Sequence, residues 1–321
     1  MSCDGQSRPT TNARRSPQHG IDRRAFGLGL AGHAGLAGYA GLAGYAGLAA
    51  LPASLISAPA IASGREVRFG LTPVFLDSDI RLIADLEEFL STRLARPVTF
   101  VKRRTYMEIT ALLVAGQIDA AWICGLPFIR HRTALDLVAV PVYRGAPHYR
   151  SFVIARADAG FEDVTDLRGT IHAFSDPQSN SGKLVTQALL AEMGETATAF
   201  FADTFYAYGH RNVIRAVAAG LAQSGSVENY VWEVMRDIEP GLVASTRVLH
   251  RSPVMGFPPI AASRQADPAL IAALREALLA MAEDERGQRI LQTLRLDGFA
   301  PVAPDHYDRI AAMLQMVEGA G

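Results

Sequence analysis

From residue 66 onward, short runs of β-branched and aromatic residues alternate with amphipathic runs at helical spacing, and that alternation confines the chain to an α/β architecture. Residues 66–71, 98–101 and 119–124 predict strands, and 79–94 and 105–114 predict helices, the second stopped by Gly116. Further strands are expected at 137–143 and 151–155. A second unit opens at Asp163 with a strand at 170–174, a loop at 176–180 and a helix running to Met193. His210 opens another helix with Val213, Ile214 and Val217 on one face, ended by Gly220, and a short strand at 226–227 enters Glu228-Asn229-Tyr230. The chain returns through 248–260 and ends in helices at 268–281 and 284–294. Such βαβ order implies largely parallel sheets flanked by helices. The extended segments 149–155 and 255–262 mark where a first lobe is left and re-entered. The expected division is therefore lobe 1 at 65–152 plus 255–321 and lobe 2 at 153–254, with a ligand cleft between them beyond the carboxyl ends of the strands.

The first sixty residues point to export. Asp22-Arg23-Arg24-Ala25-Phe26-Gly27-Leu28 is a twin-arginine pattern ahead of a weakly apolar run rich in Gly, Ala and Tyr, broken by Pro52 and followed by small-residue cleavage positions around Ala58, Ala60 and Ala62. We read residues 1–62 as a cleaved twin-arginine signal peptide and the mature protein as periplasmic; an uncleaved membrane anchor is the alternative. Five arginines leave with that leader against two aspartates, so the net charge falls from −1 to −4. A mildly acidic body argues against nucleic acid as a partner. Of the two cysteines, Cys3 and Cys124, only the second survives cleavage, so the mature chain forms no internal disulfide. Cys124 lies in an apolar strand and reads as a buried small hydrophobe.

The run Ser179-Asn180-Ser181-Gly182, immediately ahead of Leu184, Val185, Ala188 and Leu189, is a helix start loaded with hydroxyl and amide groups. Free backbone N–H groups at a helix start favour anions, so the run suggests a small oxyanion site; a plain helix cap is the alternative.

Several motifs in order resemble the periplasmic phosphonate-binding proteins, which belong to the phosphate, phosphite and phosphonate class of ABC-importer solute-binding proteins. These are Phe69-Gly70-Leu71-Thr72-Pro73, Arg104-Thr105-Tyr106, Gly116-Gln117-Ile118-Asp119-Ala120-Ala121-Trp122, Tyr149-Arg150-Ser151, Asp176-Pro177-Gln178-Ser179-Asn180-Ser181-Gly182, Gly209-His210 and Val227-Glu228-Asn229-Tyr230-Val231-Trp232. The resemblance implies a two-lobed type II periplasmic-binding fold, each lobe a mostly parallel sheet flanked by helices, that closes on its ligand and presents it to an inner-membrane ABC permease. It maps oxyanion binding onto Ser179, Asn180 and Ser181, a tyrosine from each side of the cleft onto Tyr106 and Tyr149, and the family histidine onto His210. The family often has Asp-Ser where this chain has Glu228-Asn229. A monomer without cofactor or metal is expected.

The chemistry of the implied site is coherent. Donors from two helix starts would hold an oxyanion without an arginine clamp, each helix dipole contributing roughly 0.3–1 kcal/mol. A carboxylate facing an anion is repulsive unless a proton or an ammonium lies between them, so Glu228 implies a monoprotonated oxyanion or an aminoalkyl phosphonate, and a fully deprotonated, non-amino ligand should be rejected. Packing roles for Tyr106 and Tyr149, capping for His210 and a solvated rim for Glu228 are the structural alternatives. A periplasmic enzyme on this fold is disfavoured because there is no nucleophile-elbow motif and no zinc-ligand spacing, and Ser181-Gly182-Lys183-Leu184 lacks the P-loop's leading glycine and final hydroxyl. A sensor that hands its liganded form to a membrane receptor kinase would share the site and differ only in its docking surface.

Overall fold

The computed structural model describes residues 65–72 and 80–320; the twin-arginine leader expected at 1–62 lies outside the described residues. The chain begins with strand β1 (Val67–Leu71), helix α1 (Ile80–Leu94), β2 (Val98–Lys102), α2 (Tyr106–Val114), β3 (Ala120–Trp122), a short α3 (Gly125–Arg130) and β4 (Leu135–Val142). Helix α1 buries Leu82, Ile83, Leu86, Phe89, Leu90 and Leu94, the three-and-four spacing of a helix laid on a sheet. The start of α2 is fixed by a capping box: Thr105 Oγ1 accepts the Glu108 N–H at 3.3 Å while the Glu108 carboxylate accepts the Thr105 N–H at 3.0 Å. This cap sets Tyr106 as the first residue of the helix, and Ile109 and Leu113, both fully buried, hold the helix on the sheet. Burying side chains of that size contributes roughly 1.5–3 kcal/mol each.

The chain then crosses through β5 (His148–Tyr149) into β6 (Ser151–Arg156) and continues as β7 (Ile171–Phe174), a π-helical turn (Asn180–Leu184), α4 (Val185–Glu192), α5 (Ala197–Phe200), β8 (Asp203–Tyr206), α6 (His210–Ala218), β9 (Ser224–Glu228), α7 (Asn229–Ile238), α8 (Pro240–Ala244) and β10 (Thr246–Arg251). It returns by β11 (Met255–Gly256) to β12 (Ile260–Ser263), α9 (Pro268–Leu279), α10 (Glu285–Leu294), β13 (Gly298–Ala300) and α11 (Asp308–Gly319).

Two larger sheets result, ordered β13-β4-β12-β3-β1-β2 and β10-β6-β9-β7-β8, with β5 and β11 paired as a separate antiparallel ribbon. Both sheets are mixed rather than largely parallel. β1 runs parallel to β2 and β3, and β7 parallel to β8 and β9, as the βαβ pattern requires. β12, however, lies antiparallel between β3 and β4, and β6 antiparallel between β9 and β10. The reason is the crossing: a strand that arrives directly from the other sheet enters from the opposite end, without a helical crossover to turn it round.

The crossing itself is stitched. The Arg150 N–H donates to Asn229 Oδ1 at 2.7 Å and the Asn229 N–H donates back to the Arg150 carbonyl at 3.0 Å. Ser252 Oγ accepts the Ser151 N–H at 2.9 Å, and the Ser252 N–H donates to the Ser151 carbonyl at 2.9 Å. Asn229 directly follows Glu228, so the crossing and a candidate ligand side chain are neighbours in sequence.

Beneath the second sheet a polar chain ties α4 to β9. His172, fully buried, bonds Ser224 Oγ through Nδ1 and Ser226 Oγ through Nε2, both at 2.8 Å, and Ser226 Oγ meets Thr186 Oγ1 at 2.5 Å. Because every member is paired, the network fixes the helix register at little desolvation cost.

Candidate functional site

The loop after β7 and the turn that follows it fold onto each other. Ser179 Oγ accepts the Gly182 N–H at 2.9 Å, and the Ser175 N–H donates to the Gly182 carbonyl at 3.1 Å. A side chain at Gly182 would collide with Ser175 Oγ, so only glycine lets these two strands of backbone touch. The predicted helix start is thus a π turn rather than a plain α-helical one, closed by the Val185 N–H on the Asn180 carbonyl. Ser179, Asn180 and Ser181 are all at most 1% exposed. π turns inside helices concentrate at functional sites, because the widened turn re-aims its side chains.

Connections of the first sheet, the β5–β11 ribbon and the start of β6 close over this turn. The Asn180 N–H donates to Cys124 Sγ at 3.2 Å, and Asn180 Nδ2 donates to the Tyr149 hydroxyl at 2.7 Å and to Met255 Sδ at 3.4 Å. The Tyr106 N–H, at the start of α2, donates to Asp176 Oδ2 at 3.3 Å. Ser151 Oγ donates to the Ser181 carbonyl at 2.6 Å. The Arg130 guanidinium reaches Gln178 Oε1 at 2.8 Å at the rim.

His210 and Glu228 form the other wall. Gly209, at φ 151°, turns the chain into α6 and donates its N–H to the Ser175 carbonyl at 3.0 Å, tying His210 to the same loop. The Glu228 N–H donates to His210 Nδ1 at 3.2 Å, which places the ring proton of the neutral imidazole on Nε2; that nitrogen lies 3.7 Å from Glu228 Oε2. Burial pushes the His210 pKa down to about 3 and the Glu228 pKa up to about 8.

All seven residues singled out from sequence, Tyr106, Tyr149, Ser179, Asn180, Ser181, His210 and Glu228, are therefore buried around one locus. Glu228 is not a solvated rim charge, being 3% exposed. Sequence reasoning passed over Ser175, Asp176, Ser151 and Met255, and it read Cys124 only as packing. The thiol is indeed buried, with its pKa pushed up to about 12 by desolvation, yet it also serves as an acceptor for the Asn180 N–H. Asp176 and Ser151 stood inside named motifs and were the recoverable signals; Ser175 and Met255 become neighbours only through the tertiary fold. Arg211 pairs with Glu239, and Lys183 lies over the Tyr206 ring, in keeping with positions outside the ligand locus.

Among the described residues, three buried polar atoms here have no hydrogen-bond partner: Ser175 Oγ, Ser181 Oγ and Asn180 Oδ1. The Ser181 hydroxyl neighbours that of Tyr149 but completes no bond of its own. Buried polar groups are nearly always paired, so this cluster is a candidate set of ligand contacts. The hydroxyls, tyrosine O–H groups and the His210 Nε2–H are hydrogen-bond donors without net charge, suited to a compact oxyanion.

Comparison with known proteins agrees with this chemistry. A family model described as ABC transporter, phosphonate, periplasmic substrate-binding protein matches residues 69–307. The phosphate-import protein PhnD of Mycolicibacterium smegmatis is 28% identical over 187 residues, covering 53% of this chain and 58% of that relative. Among solved structures, a binding protein component of an ABC phosphonate transporter from Pseudomonas aeruginosa superposes with a TM-score of 0.73 at 18% identity, covering 79% of this chain and 87% of the other. PhnD1 from Prochlorococcus marinus, solved with methylphosphonate, gives a TM-score of 0.72 at 16% identity, covering 79% of this chain and 98% of the other. The fold is that of the two-lobed type II periplasmic-binding proteins. The chain belongs to the family of periplasmic substrate-binding proteins of phosphonate ABC transporters.

Proposed function

We propose that the protein is exported through the twin-arginine route, captures a small phosphorus oxyanion (phosphonate, phosphite or phosphate) between its two lobes, and delivers it to an inner-membrane ABC permease. The observation that carries this reading is the pair of unpartnered, buried hydroxyls Ser175 Oγ and Ser181 Oγ, enclosed by Tyr106, Tyr149, His210 and Glu228, with the acceptor Asn180 Oδ1 beside them. Membership of a transport family, and relatives described as phosphate-import and phosphonate-transport proteins, support the ligand class and the permease.

In this reading the lobes are residues 65–152 with 255–321 and residues 153–254, pivoting about the stitched crossing at Arg150, Ser252 and Asn229. Ligand oxygens bond Ser179 to Ser181 and His210 on one lobe and the tyrosine hydroxyls on the other. Only the closed form makes both sets of contacts, so the ligand shifts the population toward it. The protein binds and releases its ligand unchanged.

Isothermal titration of the mature protein, started at Ser63 and stripped of ligand by mild unfolding, tests the proposal against methylphosphonate, phosphite, phosphate, aminoethylphosphonate and sulfate. Stoichiometric binding of a phosphorus oxyanion with no product formed is expected. Binding to none of the four phosphorus compounds would overturn the reading.

A further inference from the structure

Helix α7 starts at the crossing and carries its second turn to the other lobe. Asn229, bonded in both directions to Arg150, also donates from Nδ2 to Glu233 Oε1 at 3.4 Å, four residues along the same helix face. The second carboxylate oxygen of Glu233 reaches residues of the first lobe: Oε2 accepts the Tyr143 hydroxyl at 2.7 Å and lies 2.8 Å from Arg144 Nη1. Tyr230, three residues before Glu233, packs its ring 5.0 Å from that of Tyr143 and donates its hydroxyl to the Leu294 carbonyl at 2.5 Å. Glu233 bonds none of the seven candidate ligand side chains; its partners are Tyr143, Arg144 and Asn229.

The turn that meets Glu233 is strained. Tyr143 and Ala146 exchange backbone hydrogen bonds at 3.0 and 3.3 Å across a two-residue turn, and its central residues, Arg144 and Gly145, have φ of 52° and 75°. Glycine adopts that conformation freely and arginine does not. Arg144 is held there by its contacts: the guanidinium lies 5.2 Å from the Tyr143 ring centroid and against Glu233, while the Gly145 N–H donates to Asp297 Oδ2 at 2.7 Å. Strained residues persist where surrounding contacts over-determine them, and they concentrate at clamps and switches.

The described arrangement has the cleft closed, since the Asn180 N–H on Cys124, the Tyr106 N–H on Asp176 and Arg130 on Gln178 all cross between the lobes. We infer that Glu233 is a positioning residue for ligand capture: by bonding Tyr143 and Arg144 it clamps the lobes in the closed form and favours closure on whatever ligand the cleft holds. This rests on the two-lobe oxyanion-binding reading and adds to it a contribution that no ligand contact supplies. Hydrogen bonds are directional, so a pivot about Arg150 and Asn229 parts Glu233 from Tyr143. In the open form the freed carboxylate and guanidinium are hydrated, so the empty protein loses little when they separate. A contact present only in the closed form multiplies the affinity for every ligand by the same factor.

Titration of methylphosphonate, phosphite and phosphate into the wild type, Glu233→Ala, Tyr143→Phe and the double variant, with melting curves of each protein empty and liganded, tests this. Kd should rise about 5- to 30-fold in Glu233→Ala and about 3- to 10-fold in Tyr143→Phe, by a common factor for every ligand the wild type binds, with the Tm of the empty proteins unchanged. The double variant should bind no more weakly than Glu233→Ala, because the Tyr143 hydroxyl then has nothing left to bond. Arg144→Gly relieves the turn and removes the ion pair, so it should raise the Tm of the empty protein yet weaken binding about two- to fivefold. Unchanged or tighter binding in Glu233→Ala and Tyr143→Phe, or factors that differ by more than about threefold between ligands, would overturn the inference while leaving the oxyanion site standing. A lower Tm of the empty variants with unchanged Kd would do the same, since it would make the cluster a structural contact alone. Failure of the wild type to bind any of the three compounds would overturn the oxyanion reading and this inference together. Tyr143→Phe keeps the ring packing and decides the question if Glu233→Ala folds poorly.

Discussion

Replacing Ser181 by alanine should separate binding from folding. The Ser181 hydroxyl is buried and has no hydrogen-bond partner, so the empty protein already bears the desolvation of that group, typically about 1–3 kcal/mol. Deleting the oxygen breaks no hydrogen bond within the protein. Stability of the empty Ser181→Ala protein should therefore be unchanged or raised by up to about 1 kcal/mol, a Tm shift of roughly 2–4 °C for a chain of this size. In the complex the same hydroxyl donates to an anion, a bond worth about 1.5–3 kcal/mol, so affinity should fall about 10- to 150-fold. Differential scanning calorimetry with and without ligand reads both effects. At a ligand concentration one hundred times the wild-type Kd, ligand stabilises the wild type by about 2.7 kcal/mol, and a thirtyfold loss of affinity cuts this to about 0.9 kcal/mol. A lower Tm for the empty variant together with an unchanged Kd would refute the reasoning, since it would make Ser181 a structural cap.

Further predictions follow from the buried charges and the cross-lobe contacts. Glu228 favours the folded state below the ordinary carboxylate range and loses that contribution as pH rises through about 8, so Glu228→Gln should flatten the Tm of the empty protein between pH 5 and 9 and raise it at the alkaline end; an unaltered pH profile would contradict the burial of that group. His172 and His210, both held near 3, support the fold above about 6.5 and lose that support as pH falls toward 3, so the wild type should weaken steeply on acidification and His172→Gln should weaken less, as urea melts at pH 4 to 7 would show. Asp176→Ala frees the Tyr106 N–H at the closed cleft and should reduce affinity about 5- to 30-fold through loss of a charge-assisted bond, with a larger radius of gyration by small-angle scattering; an identical radius and Kd would remove Asp176 from the closure mechanism. Gly182→Ala should abolish binding, because its Cβ would strike Ser175 Oγ and force the π turn open; wild-type affinity in that variant would show that the turn is not held this way.

Much of the order of strands and helices was legible because elements that bury a face carry their own period, as α1 and α6 do, although α7 and α11 were not read. The two-residue strands β5 and β11 carry no period at all, so the ribbon that joins the lobes was visible only as extended chain. Sheet direction was misjudged for the same reason: whether a strand turns round depends on the crossing, which leaves no mark on β12 or β6 themselves. At the site, the seven side chains given roles from the named motifs were found, while Ser175, Ser151 and Met255 were not. Those three touch the binding turn through contacts between residues up to 75 positions apart, which no local pattern encodes. The π turn at Asn180 was likewise hidden, since Ser179 to Gly182 reads equally well as an ordinary cap.

The most direct measurement is a crystal structure of the mature protein with methylphosphonate. The account predicts a closed molecule with phosphonate oxygens within hydrogen-bond distance of Ser181 Oγ, Ser175 Oγ and His210 Nε2, and one of them against a Glu228 carboxyl oxygen. Phosphonate density elsewhere on the protein, with the Ser175 and Ser181 hydroxyls still unpartnered, would contradict it.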